Sequence, residues 1–312
     1  MPFLCAITAV LLPNLSCAIL TYKVIDKMSF KIVKNSKETH LAAYNHLAGQ
    51  IFGLDFEPWI NGGYGQNHIP YTMFDGEMAV ANVSCNKMEI MCDGNAVKCI
   101  QIGTVMTHPD YRGRGLCRQL MEEVLADFTD RQCVFLFANK TVTDFYPLFG
   151  FEKADYYTFT KGIVSKKGDF YRLDMDNPAD VALLKRCYNE TNPFSRLQAI
   201  KDFDLLMFYC SSFMKKRVYY SPAMDAVVIM DTDGNEVTIY DIYCDKNKDI
   251  DKIVSMAVPS TATKVVFGFS PADRSDCSVE KSEEENTTLF VLKNKKNIFA
   301  GGKMCLTEIS HT

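Results

Sequence analysis

The stretch Thr104–Phe128, TVMTHPDYRGRGLCRQLMEEVLADF, decides the fold. Upstream of it, Cys99–Met106 has the apolar and β-branched content of a strand. His108-Pro-Asp-Tyr111 reads as a turn and Arg112-Gly-Arg-Gly115 as a short glycine loop. From Leu116 the apolar residues Leu116, Leu120, Met121, Val124, Leu125 and Phe128 fall at helical spacing. Arg118, Glu122, Glu123 and Asp127 are left for the wet face. Strand, glycine loop and helix in succession make an anion-binding device. Gly113 and Gly115 let backbone approach a ligand, and the first-turn amides of the helix lack internal partners. Those amides and the helix dipole attract a pyrophosphate, with Arg112 and Arg114 adding two cations. Plain turn chemistry at a strand–helix junction is the alternative.

The loop is not a Walker motif, since no Gly-Lys-Ser/Thr follows. It is not a dinucleotide fingerprint either, because the third glycine would fall at Arg118. His108-Pro-Asp-Tyr-Arg-Gly-Arg-Gly-Leu-Cys117 instead resembles the acyl-coenzyme A pyrophosphate loop of the GNAT N-acetyltransferase superfamily, Arg/Gln-x-x-Gly-x-Gly/Ala. Cys117 stands where Gly or Ala is commoner. A second segment at the expected distance is similar to the same family: a buried strand, Cys133–Asn139, then Phe145-Tyr-Pro-Leu-Phe-Gly-Phe151, which resembles Phe-Tyr-x-x-x-Gly-Phe. The likeness spans roughly Phe30–Lys161.

The resemblance implies an α+β GNAT acyltransferase fold, a mixed central sheet flanked by helices, with acetyl-CoA as cosubstrate and no metal. It implies that backbone groups of Val105, Met106 and Thr107 hold the pantetheine arm. The pyrophosphate would sit on Arg112, Gly113, Arg114, Gly115, Leu116 and Cys117. Asn139 matches a position that contacts the cofactor or an ordered water, and Tyr146 matches the general acid that protonates the leaving sulfur. Relatives often carry a basic glutamate on the strand before the loop, but Cys99–Thr107 holds no Asp, Glu or His. Asp55, Glu57, Glu77, His108 or water stay open as the base.

Length and composition bound the remaining readings. The 312 residues fit about two domains, and 47% hydrophobic content is ample for ordinary cores. A net charge of −4 and no Lys/Arg run above three residues argue against nucleic acid as a partner. Twelve cysteines contain no Cys-x-x-Cys pair and sit within apolar runs, which fits reduced thiols and a cytoplasmic protein. The spacing of Cys85, Cys92 and Cys99 is not that of a zinc site.

Taken in order, Phe3–Leu20 is apolar but broken by Pro13-Asn14 and has no preceding Lys or Arg. That is poor form for a signal peptide and short for a membrane span. Leu15-Ser-Cys17 only faintly resembles a lipoprotein cleavage box, and Asn14 stands where an aliphatic residue is wanted. Met28 is the expected natural start, with residues 1–27 an extension outside the native protein. Residues 28–162 then form the catalytic domain and 163–312 a second one. Lys37–Phe52 is expected to be helical, and Leu54–Ile69 a glycine- and aromatic-rich loop that either lines the acceptor side or packs Trp59 on the core. Tyr71–Phe74, Met78–Met88 and Ala96–Thr107 form a meander with Asp-Gly turns.

The second half restarts the pattern. Helices are expected over 178–190, 203–214 and 250–257, and strands over 218–220, 226–230, 237–244, 264–268 and 289–292. The order copies the first half, but Cys244-Asp-Lys-Asn-Lys-Asp249 replaces the glycine loop, and its carboxylates would oppose an anion. A degenerate GNAT-like domain without cofactor is the expectation. The layout resembles, more loosely, the enhanced-intracellular-survival acetyltransferases without their third domain. Arg274–Asn286 is polar and acidic, and reads as a solvated loop.

The expected activity is therefore acetyl transfer from acetyl-CoA to a primary amine of a small molecule or a protein, in a ternary complex. A non-catalytic acyl-CoA sensor or interaction module is the alternative. A membrane-tethered form anchored by residues 1–20 is a weaker third reading.

Overall fold

The structure is a computed structural model and describes residues 30–282 and 287–312. The expectations for residues 1–27 lie outside the described residues. In the first half, β1 (Lys31–Lys34) leads through a 3-10 turn to α1 (Leu41–Phe52) and a short α2 (Glu57–Asn61). The meander β2 (His68–Asp75), β3 (Met78–Cys92) and β4 (Asn95–Thr107) follows, then α3 (Leu116–Asp127), β5 (Cys133–Asn139), β6 (Phe151–Lys153) and β7 (Tyr157–Gly162). The second half contains β8 (Tyr171–Arg172), α4 (Pro178–Glu190), β9 (Leu197–Ile200), α5 (Phe203–Cys210), β10 (Val218–Ser221), β11 (Ala226–Asp233) and β12 (Glu236–Tyr243). It closes with α6 (Ile250–Ala257), β13 (Lys264–Phe267), β14 (Ser278–Lys281) and β15 (Thr287–Leu292).

Local chemistry explains the meander. Asp93 and Gly94 carry φ of 47° and 79°, a pair of left-handed residues that matches the twist of the β3–β4 hairpin. α3 turns Leu116, Leu120, Met121 and Val124 onto one face of the sheet, against Val83, Ile100, Ile102 and Val134. The opposite face, Ile90, Val97, Cys99 and Phe135, packs on second-half residues such as Leu206 and Tyr209.

Two sheets result. The first runs β1-β2-β3-β4-β5-β15-β6, with β9 also on β3; the second runs β14-β7-β13-β12-β11-β10-β8. In the first, β4 and β5 are parallel and joined through α3; in the second, β12 and β13 are parallel and joined through α6. The strands do not respect a boundary at 162/163. β7 pairs with β13 and β14, while β15 inserts between β5 and β6. The first half thus gives β7 to the second sheet, and the second half gives β9 and β15 to the first. β14 also falls inside the segment expected to be a solvated loop, because it finds β7 as an edge partner.

The helix expected over 37–52 starts only at Leu41, because Lys37 turns inward. Its Nζ donates to the carbonyls of Gly65, at 2.7 Å, and His68. After β15 the chain threads Phe299, Met304, Leu306 and Ile309 through the core between the halves.

Candidate functional site

β4 and β5 pair only from Cys99↔Cys133 to Ile102↔Leu136, and beyond that register they part. The cause lies on the other side of β4. Its pairing with β3 slips between Asn82↔Met106 and Ser84↔Gly103, so two residues, Thr104 and Val105, oppose Val83. Thr104 takes φ 47°, a conformation costing on the order of 1–3 kcal/mol. Asn82 holds it there. Its Nδ2 donates to the Thr104 carbonyl at 2.9 Å, while its Oδ1 accepts from Thr72 Oγ1 at 2.8 Å, and Thr72 in turn meets Ser36 at 2.6 Å.

The gap so opened is a cavity of about 630 Å³. Gly103–Thr107 form one wall, Phe137, Asn139 and Tyr146 another, and Arg112–Arg118 one end. Every residue singled out from the loop and strand motifs therefore lines one space. At the loop end Gly113 and Gly115 have φ of 73° and 76°. Gly115 is the N-cap of α3 and offers no side-chain cap, so the first-turn amides are left for a ligand.

Neighbours hold the two arginines near this point. Arg114 lies 4.7 Å over the Tyr111 ring and donates to the Asp110 carbonyl at 3.0 Å; Arg112 Nε reaches the Thr107 carbonyl at 3.4 Å. Cys117 ties α3 to β4, its Sγ 2.9 Å from Thr107 Oγ1 and 3.2 Å from the Met106 carbonyl. Burial pushes its thiol up to about 11, so it is neutral.

Tyr146 is 5% exposed and tilts against Phe290 at 5.6 Å between centroids. Burial, with the nearby Cys117 second, raises its phenol, which keeps the hydroxyl protonated. Asn139 Oδ1 accepts from Thr141 N at 3.0 Å and Thr141 Oγ1 at 3.1 Å, so this side chain also orders the turn after β5.

Asp55, Glu57, Glu77 and His108 are absent from the walls of this cavity and of its neighbour. Asp55 instead accepts from Asn45 Nδ2 at 2.9 Å and the Glu57 amide at 3.0 Å, and His108 Nδ1 caps Asp110 at 3.3 Å.

Three lining residues carried no sequence signal. Tyr209 donates to the His311 carbonyl at 2.8 Å, and His311 stacks on Phe137 at 3.7 Å. Its Nε2 donates to the Leu306 carbonyl at 3.2 Å, and burial lowers the ring to about 3, so it is neutral. Thr312 reaches Gly103 so closely that a Cβ there would lie 2.4 Å from the Thr312 backbone oxygen. Thr104 and these three residues, together with Phe52, are shared with a second cavity of about 210 Å³. Phe56, Trp59, Phe208 and Phe213 line it, and His68 and Asn86 add to the polar groups of the shared residues. Trp59 is thus buried in the core and also part of a cavity wall. His68 Nδ1 donates to Asn86 Oδ1 and its Nε2 accepts from Tyr44, each at 2.8 Å; burial lowers its pKa to about 4.

Residues 33–154 match the family model for an acetyltransferase (GNAT) domain. This part of the chain has the sequence pattern of a GNAT acetyltransferase domain. No curated protein sequence matches the chain significantly. Among solved structures, a probable N-acyltransferase from Enterococcus faecalis V583 is similar at TM-score 0.58 and 16% identity, over 87% of this chain and 74% of that one. A GCN5-related N-acetyltransferase from Anabaena variabilis ATCC 29413 gives 0.55 and 15%, over 85% and 73%. Eis1 from Mycobacterium abscessus gives 0.54 and 13%, over 83% and 72%. These likenesses show that the GNAT fold extends to a two-sheet arrangement of this size.

Among the described residues, all cysteines are free, and no cluster of three His, Cys, Asp or Glu could hold a metal ion. No described helix is long and apolar enough to cross a membrane.

Proposed function

We propose that this protein transfers an acetyl group from acetyl-CoA to a primary amine by direct attack in a ternary complex. What supports it is one cavity that joins the uncapped start of α3 to Tyr146 across the opening between β4 and β5. The amides of Leu116 and Cys117, with Arg112 and Arg114, take the pyrophosphate. The freed backbone of Val105, Met106 and Thr107 takes the pantetheine arm, as a strand would take a partner. The neutral amine nitrogen then attacks the thioester carbonyl, the C–S bond breaks with the Tyr146 hydroxyl donating a hydrogen bond to the departing sulfur, and the proton shed by the nitrogen passes through water to the thiolate.

The raised phenol decides how much Tyr146 contributes. A coenzyme thiol near pKa ~8.5 is a weaker base than tyrosinate, so complete proton transfer from Tyr146 is uphill. Its main service is a hydrogen bond to developing thiolate, and we expect the low end of the ~10²–10⁴-fold range for acid catalysis. Tyr146→Phe should therefore lower kcat about 10²-fold with acetyl-CoA affinity unchanged, read by release of free CoA thiol. A drop under threefold would remove Tyr146 from the chemistry.

We read the second half as a degenerate copy that binds no cofactor. The start of α6 is already filled: Asp249 accepts from the amides of Asp251 and Lys252, at 2.9 and 3.2 Å, where α3 keeps its amides open. This residue-level difference between the two helix starts also disfavours a purely structural role for the open one.

A further inference from the structure

Resting on that reading, we propose that the 210 Å³ cavity holds the acceptor, and that the acceptor is a small monoamine carrying an aromatic or bulky apolar group. The cavity meets the cofactor channel at Thr104, His311 and Thr312, where β4 leaves β5, so a group seated in it presents its amine to the thioester. Its size falls below the ~300–1,000 Å³ of sites for drug-sized ligands and suits about one ring.

Its chemistry excludes a polycation. No Asp, Glu, Lys or Arg is among the lining residues, and the two histidines are neutral with their rings already hydrogen-bonded. Behind His68 lies a cation, Lys37, whose ammonium donates to the His68 carbonyl. A second or third ammonium seated among these rings would lose its water and gain no acidic side chain. Nor do the aromatic rings form a cage for a cation. Phe56 stacks on Phe208 at 5.3 Å and 17° and on His68 at 5.4 Å and 20°, so these faces are spent on one another. The same dryness favours the neutral form of a monoamine, which is the form that attacks.

Trp59 is the only tryptophan of the chain and lines this cavity, so its emission reports occupancy without any need for turnover. Titration of the full chain with 2-phenylethylamine should give a saturable change in emission, while spermidine at equal concentration gives none. Apparent affinity should tighten up to about tenfold per pH unit between pH 7 and 9, as the neutral amine becomes available. With acetyl-CoA present, kcat/KM for 2-phenylethylamine should exceed that for spermidine at least tenfold. Phe213→Asp, at a half-exposed rim position that tolerates change, should weaken the phenylethylamine response about tenfold. Equal or better turnover of spermidine would overturn the proposal and leave acetyl transfer intact. Saturable emission without any acetylated amine would uphold the cavity's ligand chemistry and remove the transfer reading. Phenylethylamine turnover with Trp59 silent would place the acceptor elsewhere and overturn the proposal.

Discussion

Gly115 offers the sharpest test of where the cofactor sits. Its φ of 76° costs a side chain roughly 1–2 kcal/mol, a cost borne by folding stability. A Cβ on Gly115 would meet nothing within 4 Å, so Gly115→Ala neither fills the loop nor touches the helix amides. Alanine should thus lower stability by about that amount and leave acetyl-CoA affinity within a few-fold of wild type. Glutamate adds charge and reach. Placed about 5 Å from a phosphate at an effective dielectric of about 40, a carboxylate repels it by ~1.7 kcal/mol, or ~3 kcal/mol for two phosphate charges. It can also fold back to cap the α3 amides, as Asp249 does at α6. Gly115→Glu should therefore bind acetyl-CoA about 10²-fold more weakly. Calorimetric titration of the three proteins, with urea unfolding to confirm that each is folded, reads both effects. A folded glutamate variant that binds within threefold of wild type would refute placement of the pyrophosphate at this loop.

Two further outcomes follow from buried polar groups. Asn82→Ala should destabilise the protein by about 1–3 kcal/mol in urea titrations, because the Thr72 hydroxyl and Thr104 carbonyl lose their partner, and should raise the KM for acetyl-CoA as Thr104 relaxes. A KM unchanged in a destabilised variant would separate Asn82 from the cofactor channel. His311, lowered to about 3 by burial, contributes stability that is present above the unfolded pKa near 6.5 and is lost as pH falls through the folded value. Asp202 and Asp241, raised to about 6 by burial, act oppositely: the folded state keeps their protons, so they lose stability as pH rises from about 4 to 6. The opposed signs flatten the wild-type profile, so the difference between wild type and His311→Gln is the useful quantity. Between pH 5 and 6 the wild-type slope should exceed the variant's by about 1.4 kcal/mol per pH unit, and equal slopes would mean that His311 titrates in the fold.

The elements with local signals were legible. β5 and α6 occupy the expected spans, Asn177 caps α4 through Ala179 at 3.0 Å, and the loop motif and Tyr146 converge on one cavity. What could not be read depends on non-local pairing. Thr287–Leu292 is apolar on both faces, with Leu289 and Val291 on one core and Phe290 on the other, so its sequence suits the centre of any sheet and names no partner. Asn82, Ser84 and Asn86 did leave a trace, an every-second-residue polar row inside an otherwise apolar strand, which marks a buried polar face. His311 and Thr312 left none, since a tail that enters a cleft obeys no periodicity.

The traded strands also set a clock for the ribosome. The sheet that holds the loop, β4 and β5 has its inner position filled by Thr287–Leu292, which emerges long after the helix and loop themselves. At roughly 5–20 residues per second the delay is on the order of ten seconds. During it the β5 edge beside Cys133–Asn139 has no strand on its outer side, and those apolar residues face the cell uncovered. A nascent chain of this layout is sticky until nearly its last residues are made, and the site becomes whole only with its tail.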